Sequence, residues 1–522
     1  MQIRIFARYS SFPHGSDGLL LCTRVNLFME SSDISEPKQS QEPTLKDKAA
    51  KGVFWGSLNN GLQQILNLIF GIVLCRILSA EEYGLVGMLT VFTIIAAVFQ
   101  DSGFSAALAN KKDIKHEDYN AVFWFSLSLS VLMYIILFAA SSVISSFFDE
   151  PRLLLLSRVV FLSIIISGIS VVPSAYLFKN LKIKERAIAD ISSLVVSGCI
   201  GIIMAMNGFS YWGLAIQTLV YVFISTCLKW YFIKWWPSFR IDLSPLKEMW
   251  GFSIKIFFTN IFFHISNQIY TVILGRYYSP AQVGFYTQGN KWQNMGSGLT
   301  TGIFTHLTQP LFVQAEVQNS DPVKVFRKLL RFAAFLSFPL MCGLAFIGGE
   351  FVEIALGEKW LPCVPILQIL CVWGAMLPIW RLYNELLVSK GRSDYYLKIN
   401  LWVGLLQILF AFLLYPYGIH KMLLVYLLVN FSGLFVCHYY ANKVIGLRFF
   451  HVLKDILPYL LITLGVYAVS YLLVFYIENL YIRFVLKLFI PVALYSTVMI
   501  LTKSIMFKDS VSFLKKNVLK MK

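Results

Sequence analysis

The sequence has few charged residues and lacks the short motifs of common soluble enzymes. Charged residues make up 14% of the 522 residues, whereas ordinary soluble domains contain roughly a quarter. The patterns Gly-x-x-x-x-Gly-Lys-Ser/Thr, His-Glu-x-x-His and Gly-x-Ser-x-Gly do not occur. The eight cysteines form no close pair with metal-ligand spacing. These absences exclude a water-soluble enzyme of several domains and a built-in ATP motor, and they imply neither a cofactor nor a metal.

Long apolar runs dominate what is present. Hydrophobic residues make up 57% of the chain. Apolar runs of about 20 residues recur from residue 52 to residue 502, and this length crosses a bilayer core of about 30 Å. We predict an all-α polytopic membrane protein with fourteen transmembrane helices. The expected spans are 52–75, 84–107, 119–146, 153–177, 187–206, 211–232, 250–275, 283–308, 329–350, 363–387, 396–415, 419–441, 453–476 and 483–502.

The charges alternate from one connection to the next. The net charge is +17, with 45 Lys and Arg against 28 Asp and Glu. Connections after even-numbered spans are basic, for example around Lys182 and Arg327, whereas those after odd-numbered spans are short and lean acidic, as at Glu81 and Glu150. Because cytoplasmic loops collect Lys and Arg, both termini are predicted to face the cytoplasm. The basic charge then requires no nucleic-acid partner.

The spans and the polar segments divide the chain into six expected parts. The first part is rich in Ser, Glu, Gln and Pro near its end, as disordered segments are, and Met29 within it is an alternative start. The expected parts are a disordered cytoplasmic N-terminus at 1–45, an N-terminal lobe of six spans at 46–235, a cytoplasmic linker at 236–248, a C-terminal lobe of six spans at 249–445, spans 13 and 14 at 446–505, and a basic cytoplasmic tail at 506–522.

Two segments align without a gap at an offset of 200 residues. Residues 60–84 and 260–284 share polar and small residue types that are scarce in membrane spans. Six spans separate the two copies, so the copies have the same orientation. We therefore predict two parallel six-span lobes, an arrangement in which transporters bind substrate between the halves. The shared residues of those types are Asn60/Asn260, Asn67/Asn267, Arg76/Arg276, Ser79/Ser279 and Gly84/Gly284.

A polar stripe recurs in both copies. Amide and imidazole side chains stand at i, i+4 and i+7 on spans 1 and 7, which is one face of a helix. Span 8 adds a glutamine and a lysine, and a lysine at mid-membrane costs about 3 kcal/mol. These residues are predicted to line a substrate cavity, although amides can instead bond helix to helix and a lysine can reach the interface. The candidates are Asn60, Gln64, Asn67, Asn260, His264, Asn267, Gln288 and Lys291.

Two arginines close the matching spans of the repeat. Arg76 ends span 1 and Arg276 ends span 7. We interpret both as gate or interface residues on the outer side. Between these two roles the sequence does not decide.

Several segments resemble bacterial polysaccharide exporters. The segments are KGVFWGSLNNGLQQILNLIFGIVLCRILSAEEYGLVGM, FQDSGFSAALANKKDI, VPSAYLFKNLKIKERAIAD and GRYYSPAQVGFYTQGNKW. They look like the Wzx-type flippases of the colanic-acid and teichuronic-acid branch, in the multidrug/oligosaccharidyl-lipid/polysaccharide superfamily. The resemblance covers roughly residues 45–505. It implies two six-helix lobes arranged in a V, as in multidrug exporters of that superfamily, with spans 13 and 14 added.

The resemblance also implies a substrate and a set of partners. The substrate would be an oligosaccharide on a polyprenyl diphosphate, turned across the bacterial inner membrane by alternating access. Related flippases line the cavity with arginines on spans 1, 2 and 8. This chain departs from that pattern with amides on span 1 and Lys291 on span 8, which favours a mostly neutral glycan. Implied partners are membrane lipids and the polymerase and glycosyltransferases of the same pathway.

Two other functions stay open from the sequence. A cation-coupled multidrug exporter of the same superfamily would need a buried carboxylate near mid-membrane in an early span, and none is found. A membrane polysaccharide polymerase or ligase would need a large external loop, which is also missing. The prediction is therefore a transporter and not an enzyme.

Overall fold

The structure, a computed structural model, describes residues 45–111, 113–240, 242–318, 321–509 and 512. The leader that was expected to be disordered lies outside the described residues apart from Leu45. Most of the basic tail also lies outside them. The prediction of an all-α fold is confirmed, since no strand occurs in the part of the chain that the structure describes.

Nine α-helices precede the linker and eight follow it among the described residues. The first group is α1 (Leu45–Ile77), α2 (Ala80–Asp101), α3 (Phe104–Asn110), α4 (His116–Ala139), α5 (Ser141–Phe148), α6 (Leu153–Val160), α7 (Leu162–Lys179), α8 (Ile183–Met206) and α9 (Trp212–Phe232). The second is α10 (Ser244–Tyr277), α11 (Pro280–Val317), α12 (Pro322–Phe351), α13 (Val364–Ser389), α14 (Ser393–Leu414), α15 (Ile419–Ile445), α16 (Phe449–Val474) and α17 (Leu480–Leu501).

Each predicted span falls on one helix or on two consecutive helices. Within the described residues, twelve helical segments are long and apolar enough to cross a membrane. The two predicted spans that are not among them coincide with α10 and α11. These two helices carry the polar residues of spans 7 and 8, which lower their apolar content. The chain is a multi-pass membrane protein, and the number of fourteen spans stays a prediction.

The helices form two bundles that meet along α2, α10 and α11. Helices α1–α9 form the N-terminal bundle, α10–α15 form the C-terminal bundle, and α16 and α17 pack on α12. We call the end where α1 and α10 terminate the arginine end, and the opposite end the basic-loop end. At the arginine end Ser79 begins α2 with a capping box, because Ser79 and Glu82 exchange hydrogen bonds. The cap fixes the start of α2 where it crosses the other bundle.

The two bundles approach most closely at a pair of equivalent glycines. A methyl group built on Gly84 would lie 1.8 Å from the carbonyl oxygen of Pro280, and one built on Gly284 would lie 1.8 Å from that of Ala80. The contact is therefore reciprocal, as expected for helices related by a pseudo-twofold axis. Only glycine permits this approach of backbone to backbone.

Ion pairs fasten the last two spans to the C-terminal bundle. Asp455 on α16 accepts two hydrogen bonds from Arg327 on α12, at 2.6 and 3.0 Å. Near the other end of α12, Glu350 lies 2.7 Å from Lys487 and 2.8 Å from Arg483, both on α17. Both carboxylates are buried, and separating a buried charge from its partner costs about 3–5 kcal/mol. Helices α16 and α17 therefore form one body with α12.

Candidate functional site

A cavity of about 320 Å³ lies between the two bundles. Helices α2 and α9 line it from one side, and α10 and α11 from the other. Most of the lining side chains are amides, hydroxyls or aromatic rings. The lining residues are Tyr83, Val86, Gly87, Thr90, Leu214, Gln217, Thr218, Gln268, Thr271, Tyr286, Thr287, Gln288, Asn290 and Lys291.

The repeat offset relates the two sides of this cavity. Positions 86, 87 and 90 of α2 line it, and so do positions 286, 287 and 290 of α11. The two copies therefore face each other across the pseudo-twofold axis. The parallel repeat predicted from the sequence accounts for this arrangement directly.

Among the described residues, Lys291 is the one charged residue in the cavity lining. Its ammonium lies against α1, where a methyl group on Gly71 would be 2.9 Å from Nζ. Among the described residues, no carboxylate lies within ion-pair distance of this ammonium. A cation without a counter-ion in a polar cavity can bind an anion at low cost, because the protein has already desolvated part of the charge.

Gln288 stands one turn before Lys291 on the same face of α11. It is only 2% exposed and lines the cavity. Its amide oxygen has no hydrogen-bond partner in the part of the chain that the structure describes. A buried acceptor without a partner destabilises the protein by about 1–3 kcal/mol. This oxygen can therefore accept a hydrogen bond from a bound molecule. The structure thus brings two of the predicted residues, Gln288 and Lys291, into one cavity.

The six remaining candidates lie outside the lining of this cavity, on faces of α1 and α10 opposite most of the exposed apolar residues of these helices. The exposed apolar residues of α1 include Leu58 and Ile65, and those of α10 include Phe258 and Ile265. These are equivalent positions at the offset of 200. A step of two residues rotates a helix by about 200°, so the polar stripes lie on the opposite side. The stripe residues are Asn60, Gln64 and Asn67 on α1 and Asn260, His264 and Asn267 on α10.

The contacts of these six residues differ. A methyl group built on Gly298 of α11 would lie 3.9 Å from the amide nitrogen of Gln64, so part of the α1 stripe faces α11. Asn267 is exposed and donates to the carbonyl of Phe263 on its own helix, at 2.8 Å. His264 is half-buried and packs edge-on against the Phe263 ring. Asn60 is exposed, while Asn67 and Asn260 are half-buried.

The two predicted arginines reach across to the opposite bundle in equivalent ways. Arg76 donates to the carbonyls of Ile354 and Ala355, just beyond α12, the second of these at 2.9 Å. Arg276 donates to the carbonyl of Phe147 at the end of α5, at 2.6 Å. These carbonyls lie just beyond the predicted spans 3 and 9, which are themselves counterparts in the repeat. The arginine end is therefore closed by a reciprocal pair of contacts between the bundles.

Further hydrogen bonds close the same end. Trp360 donates its indole N–H to the carbonyl of Cys75, at 2.8 Å, and Lys359 donates to the carbonyl of Arg76, at 2.9 Å. Trp360 is fully buried and Tyr83 stands edge-on to it. These contacts lie between the cavity and the arginine end of the molecule.

An ion cluster stands at the rim of the arginine end. Arg152 bonds to Glu150, at 2.7 Å, and to Glu81 at the start of α2. The hydrogen bond from Arg152 holds the pKa of the Glu150 carboxyl below its ordinary value.

At the basic-loop end Lys111 bridges Asp118 and Glu248, each at 2.9 Å, and these carboxylates raise the pKa of Lys111.

Several lining residues were not found by sequence reasoning. Gln217 and Thr218 come from α9, and Gln268 and Thr271 come from α10. Gln217 is a lone amide in an apolar span, which is a usable signal. Gln268 directly follows Asn267, so the cavity side of α10 extends one residue beyond the predicted stripe. Threonines are too common in membrane helices to mark a site.

Comparisons with known proteins agree with this architecture. The model of a family described as "Polysaccharide biosynthesis protein" matches residues 73–365. The teichuronic acid biosynthesis protein TuaB of Bacillus subtilis is 25% identical over 67% of this chain and 73% of its own length. The lipopolysaccharide biosynthesis protein WzxC of Escherichia coli is 24% identical over 69% of this chain and 73% of its own.

A solved structure shares the fold. A lipid II flippase, MurJ, in an inward closed conformation, superposes with a TM-score of 0.70. The match covers 87% of this chain and 99% of that one, at 15% identity. At this identity the likeness establishes the arrangement of helices alone.

Proposed function

The chain belongs to the family of polysaccharide biosynthesis proteins, and we propose that it is a flippase for polyprenyl-diphosphate-linked oligosaccharide repeat units. Its relatives include proteins named for teichuronic acid and lipopolysaccharide biosynthesis. The product would be a cell-surface polysaccharide, and the membrane would be the bacterial inner membrane. The chain is a transporter and not an enzyme.

One observation carries the proposal: a polar cavity with a single cation lies between two equivalent bundles. A lipid-linked glycan has three parts, and each has a counterpart here. The diphosphate is anionic and suits the ammonium of Lys291. Sugar hydroxyls exchange hydrogen bonds with amides and hydroxyls such as Gln217, Gln288 and Asn290. The polyprenyl chain is apolar and stays in the bilayer, because moving it into water would be unfavourable.

The cavity lowers the barrier that bare lipid would impose. A hydroxyl moved from water into hydrocarbon without a partner costs several kcal/mol, and a glycan carries many hydroxyls. Polar groups on α2, α9, α10 and α11 replace the lost water. Because no carboxylate among the described residues pairs with Lys291, the diphosphate would supply a counter-ion on entry and remove it on exit.

Transport requires the closed end to open. In the proposed cycle the head group enters from the basic-loop end, and the bundles then rock about the pseudo-twofold axis. The bonds of Arg76 and Arg276 to the opposite bundle break in that step, which gives both residues the role of an outer gate. Moving an anion outward is favoured by an inside-negative potential, at about 2.3 kcal/mol per charge per 100 mV.

The orientation and the segment boundaries belong to this proposal. The basic-loop end would face the cytoplasm by the positive-inside rule, and both termini would lie there. The lobes at 46–235 and 249–445 would move, joined by the linker at 236–248, while spans 13 and 14 at 446–505 would travel with α12. The polymerase and glycosyltransferases of the same pathway would be functional partners.

Reconstitution tests the proposal. Liposomes containing the purified protein receive undecaprenyl diphosphate with a labelled tetrasaccharide, and an impermeant quencher reports movement between leaflets. We expect the protein to accelerate movement. The triple variant Lys291→Ala, Asn60→Ala, Asn267→Ala should slow it about 10- to 100-fold, since the lost bond of Lys291 to the charged diphosphate alone is worth about 1.5–3 kcal/mol. The control Lys421→Ala removes an exposed lysine outside the cavity lining and should change nothing.

Two results would contradict the proposal. Equal rates with and without protein would exclude flipping of this lipid class. Export of the cationic dye ethidium by the same vesicles, without movement of the glycolipid, would instead support a multidrug exporter.

A further inference from the structure

A second cavity, of about 340 Å³, lies within the N-terminal bundle. It is separate from the cavity between the bundles and lies nearer the basic-loop end. Helices α2, α3, α7 and α9 surround it. The lining residues are Ala97, Gln100, Ser105, Ser167, Ser170, Val171, Ser174, Tyr221, Val222, Ser225, Thr226 and Lys229.

Hydroxyl groups dominate this lining, and several of them donate their hydrogen to acceptors of the protein. Ser167 donates to the amide oxygen of Gln100, at 2.8 Å, and Thr226 donates to the carbonyl of Val222, at 2.8 Å. A hydroxyl that donates to protein retains its oxygen lone pairs as acceptors. The cavity therefore presents acceptors to a ligand that carries many O–H groups.

The charges of this cavity are balanced. Lys229 lies 3.6 Å from Asp190, and no carboxylate of the described residues lines the cavity itself. The lining therefore provides neither the acidic oxygens that a metal cation needs nor the unpaired cation that a phosphate needs. Neutral sugars are the ligand class that such a lining of hydroxyls and one amide fits.

The two cavities follow one another along one face of α9. Gln217 and Thr218 line the first cavity, and Tyr221, Val222 and the residues up to Lys229 line the second. These positions follow the spacing of a single helical face. From Gln217 to Lys229 the helix rises about 18 Å at 1.5 Å per residue. Helix α2 repeats the pattern, with Thr90 in the first cavity and Ala97 and Gln100 in the second.

We propose that the second cavity is a carbohydrate subsite for the sugars distal to the diphosphate. The inference rests on the proposed function. The diphosphate and the first sugar occupy the cavity between the bundles near Lys291, and the following sugars run along α2 and α9 into the N-terminal bundle. The combined site then selects oligosaccharides of several sugars over a single sugar.

Photo-crosslinking tests the subsite. A benzoylphenylalanine side chain replaces Ser170 in the second cavity or Thr287 in the first, in proteoliposomes of the full chain. One probe is undecaprenyl diphosphate with a single N-acetylglucosamine, and the other carries a neutral linear tetrasaccharide. We expect Thr287 to capture both probes and Ser170 to capture the tetrasaccharide alone. Position Phe178, which is exposed on α7 and lines neither cavity, should capture neither glycan.

Each other outcome overturns a defined part of the account. Capture of both probes at Thr287 without capture at Ser170 would overturn the subsite and leave the proposed function standing. Equal capture of both probes at Ser170 would also overturn it. No capture at either position would overturn the proposed function together with the subsite.

A cavity-filling variant provides a second readout. In Ser170→Leu, the flipping rate of the tetrasaccharide probe relative to the single-sugar probe should fall about tenfold, the equivalent of one or two lost hydrogen bonds. The matched control is Ser432→Leu on α15, where the serine also bonds to its own helix and lines neither cavity. An unchanged ratio in Ser170→Leu would contradict the subsite.

Discussion

The two copies of the repeat agree where the bundles meet and differ where the cavity acquires its chemistry. Arg76 and Arg276 bond across the interface in the same manner, and Gly84 and Gly284 make reciprocal contacts. Four and seven residues beyond these glycines the copies diverge. In α11 Gln288 and Lys291 line the cavity, whereas the equivalent residues Met88 and Val91 of α2 are apolar and buried.

This difference separates two roles within one architecture. Positions that match preserve the close packing and the closing contacts that both bundles need. Positions that differ give the cavity one cation on one side only. A symmetric pair of lysines would place two like charges near each other, which costs free energy in a region of low dielectric. In the proposed function, the asymmetric cavity binds one anionic group without that repulsion.

Substitution of the reciprocal glycines should have the largest effect. Gly84→Ala and Gly284→Ala each force a methyl group against backbone rather than against a flexible side chain. We expect each to weaken the closed state by about 3 kcal/mol, at the upper end for overpacked sites, and to do so equally. Distances between spin labels on the two bundles at the arginine end measure the closed fraction.

Gly61→Ala is the matched control for this comparison. Gly61 lies on α1 and has open space around it, so the spin-label distances should not change. A large effect of one glycine variant and none of the other would break the equivalence of the two copies.

Loss of the arginines should have an intermediate effect. Arg76→Ala and Arg276→Ala each remove hydrogen bonds of a charged donor to backbone carbonyls, worth about 1.5–3 kcal/mol. Because the carbonyls are near the surface, we expect the lower end, a shift of about tenfold in the ratio of closed to open molecules. The same spin-label pair reports it. Arg392→Ala, which removes an exposed pair with Asp394 at the basic-loop end, should leave the ratio unchanged.

The ion cluster of Arg152, Glu150 and Glu81 should have the smallest effect. It lies at the corner between α5 and α6, at the rim of the arginine end. The pKa of Glu150 is lowered in the folded protein by its bond to Arg152. The stabilisation of the folded protein by Glu150 is therefore present above the ordinary carboxyl pKa. It is lost as the pH falls through the lowered pKa. Arg152 is 40% exposed, so we expect less than about 1 kcal/mol.

Thermal unfolding in detergent tests this prediction. The midpoint of the wild type should fall more between pH 6 and pH 3 than that of Glu150→Gln. The pH dependence of the midpoint is compared with that of Asp394→Asn, a variant that removes an exposed carboxylate at the other end of the molecule. An identical pH dependence of the wild type and Glu150→Gln would exclude a contribution of the cluster.

The sequence permitted much of the fold to be predicted, because hydrophobic length and loop charge are strong signals in membrane proteins. The repeat was visible in Asn60, Arg76 and Gly84 since polar and small residues are scarce in such spans. The three carbonyls that accept from the arginines could not be predicted, because backbone carbonyls have no sequence signature. The hydroxyl-lined cavity was missed for a related reason: Ser170 and Thr226 look like ordinary membrane-helix residues that bond to their own backbone.

Lys291 gives the most direct test of a cavity in which a single cation binds the diphosphate of a glycolipid. The measurement compares Lys291→Gln with the wild type in liposomes, using the same tetrasaccharide on undecaprenyl diphosphate and on an uncharged undecaprenyl ether. The account predicts that the variant flips the diphosphate probe at least about tenfold more slowly than the wild type does, while the rates for the uncharged probe agree. Equal slowing of both probes, or of neither, would contradict it.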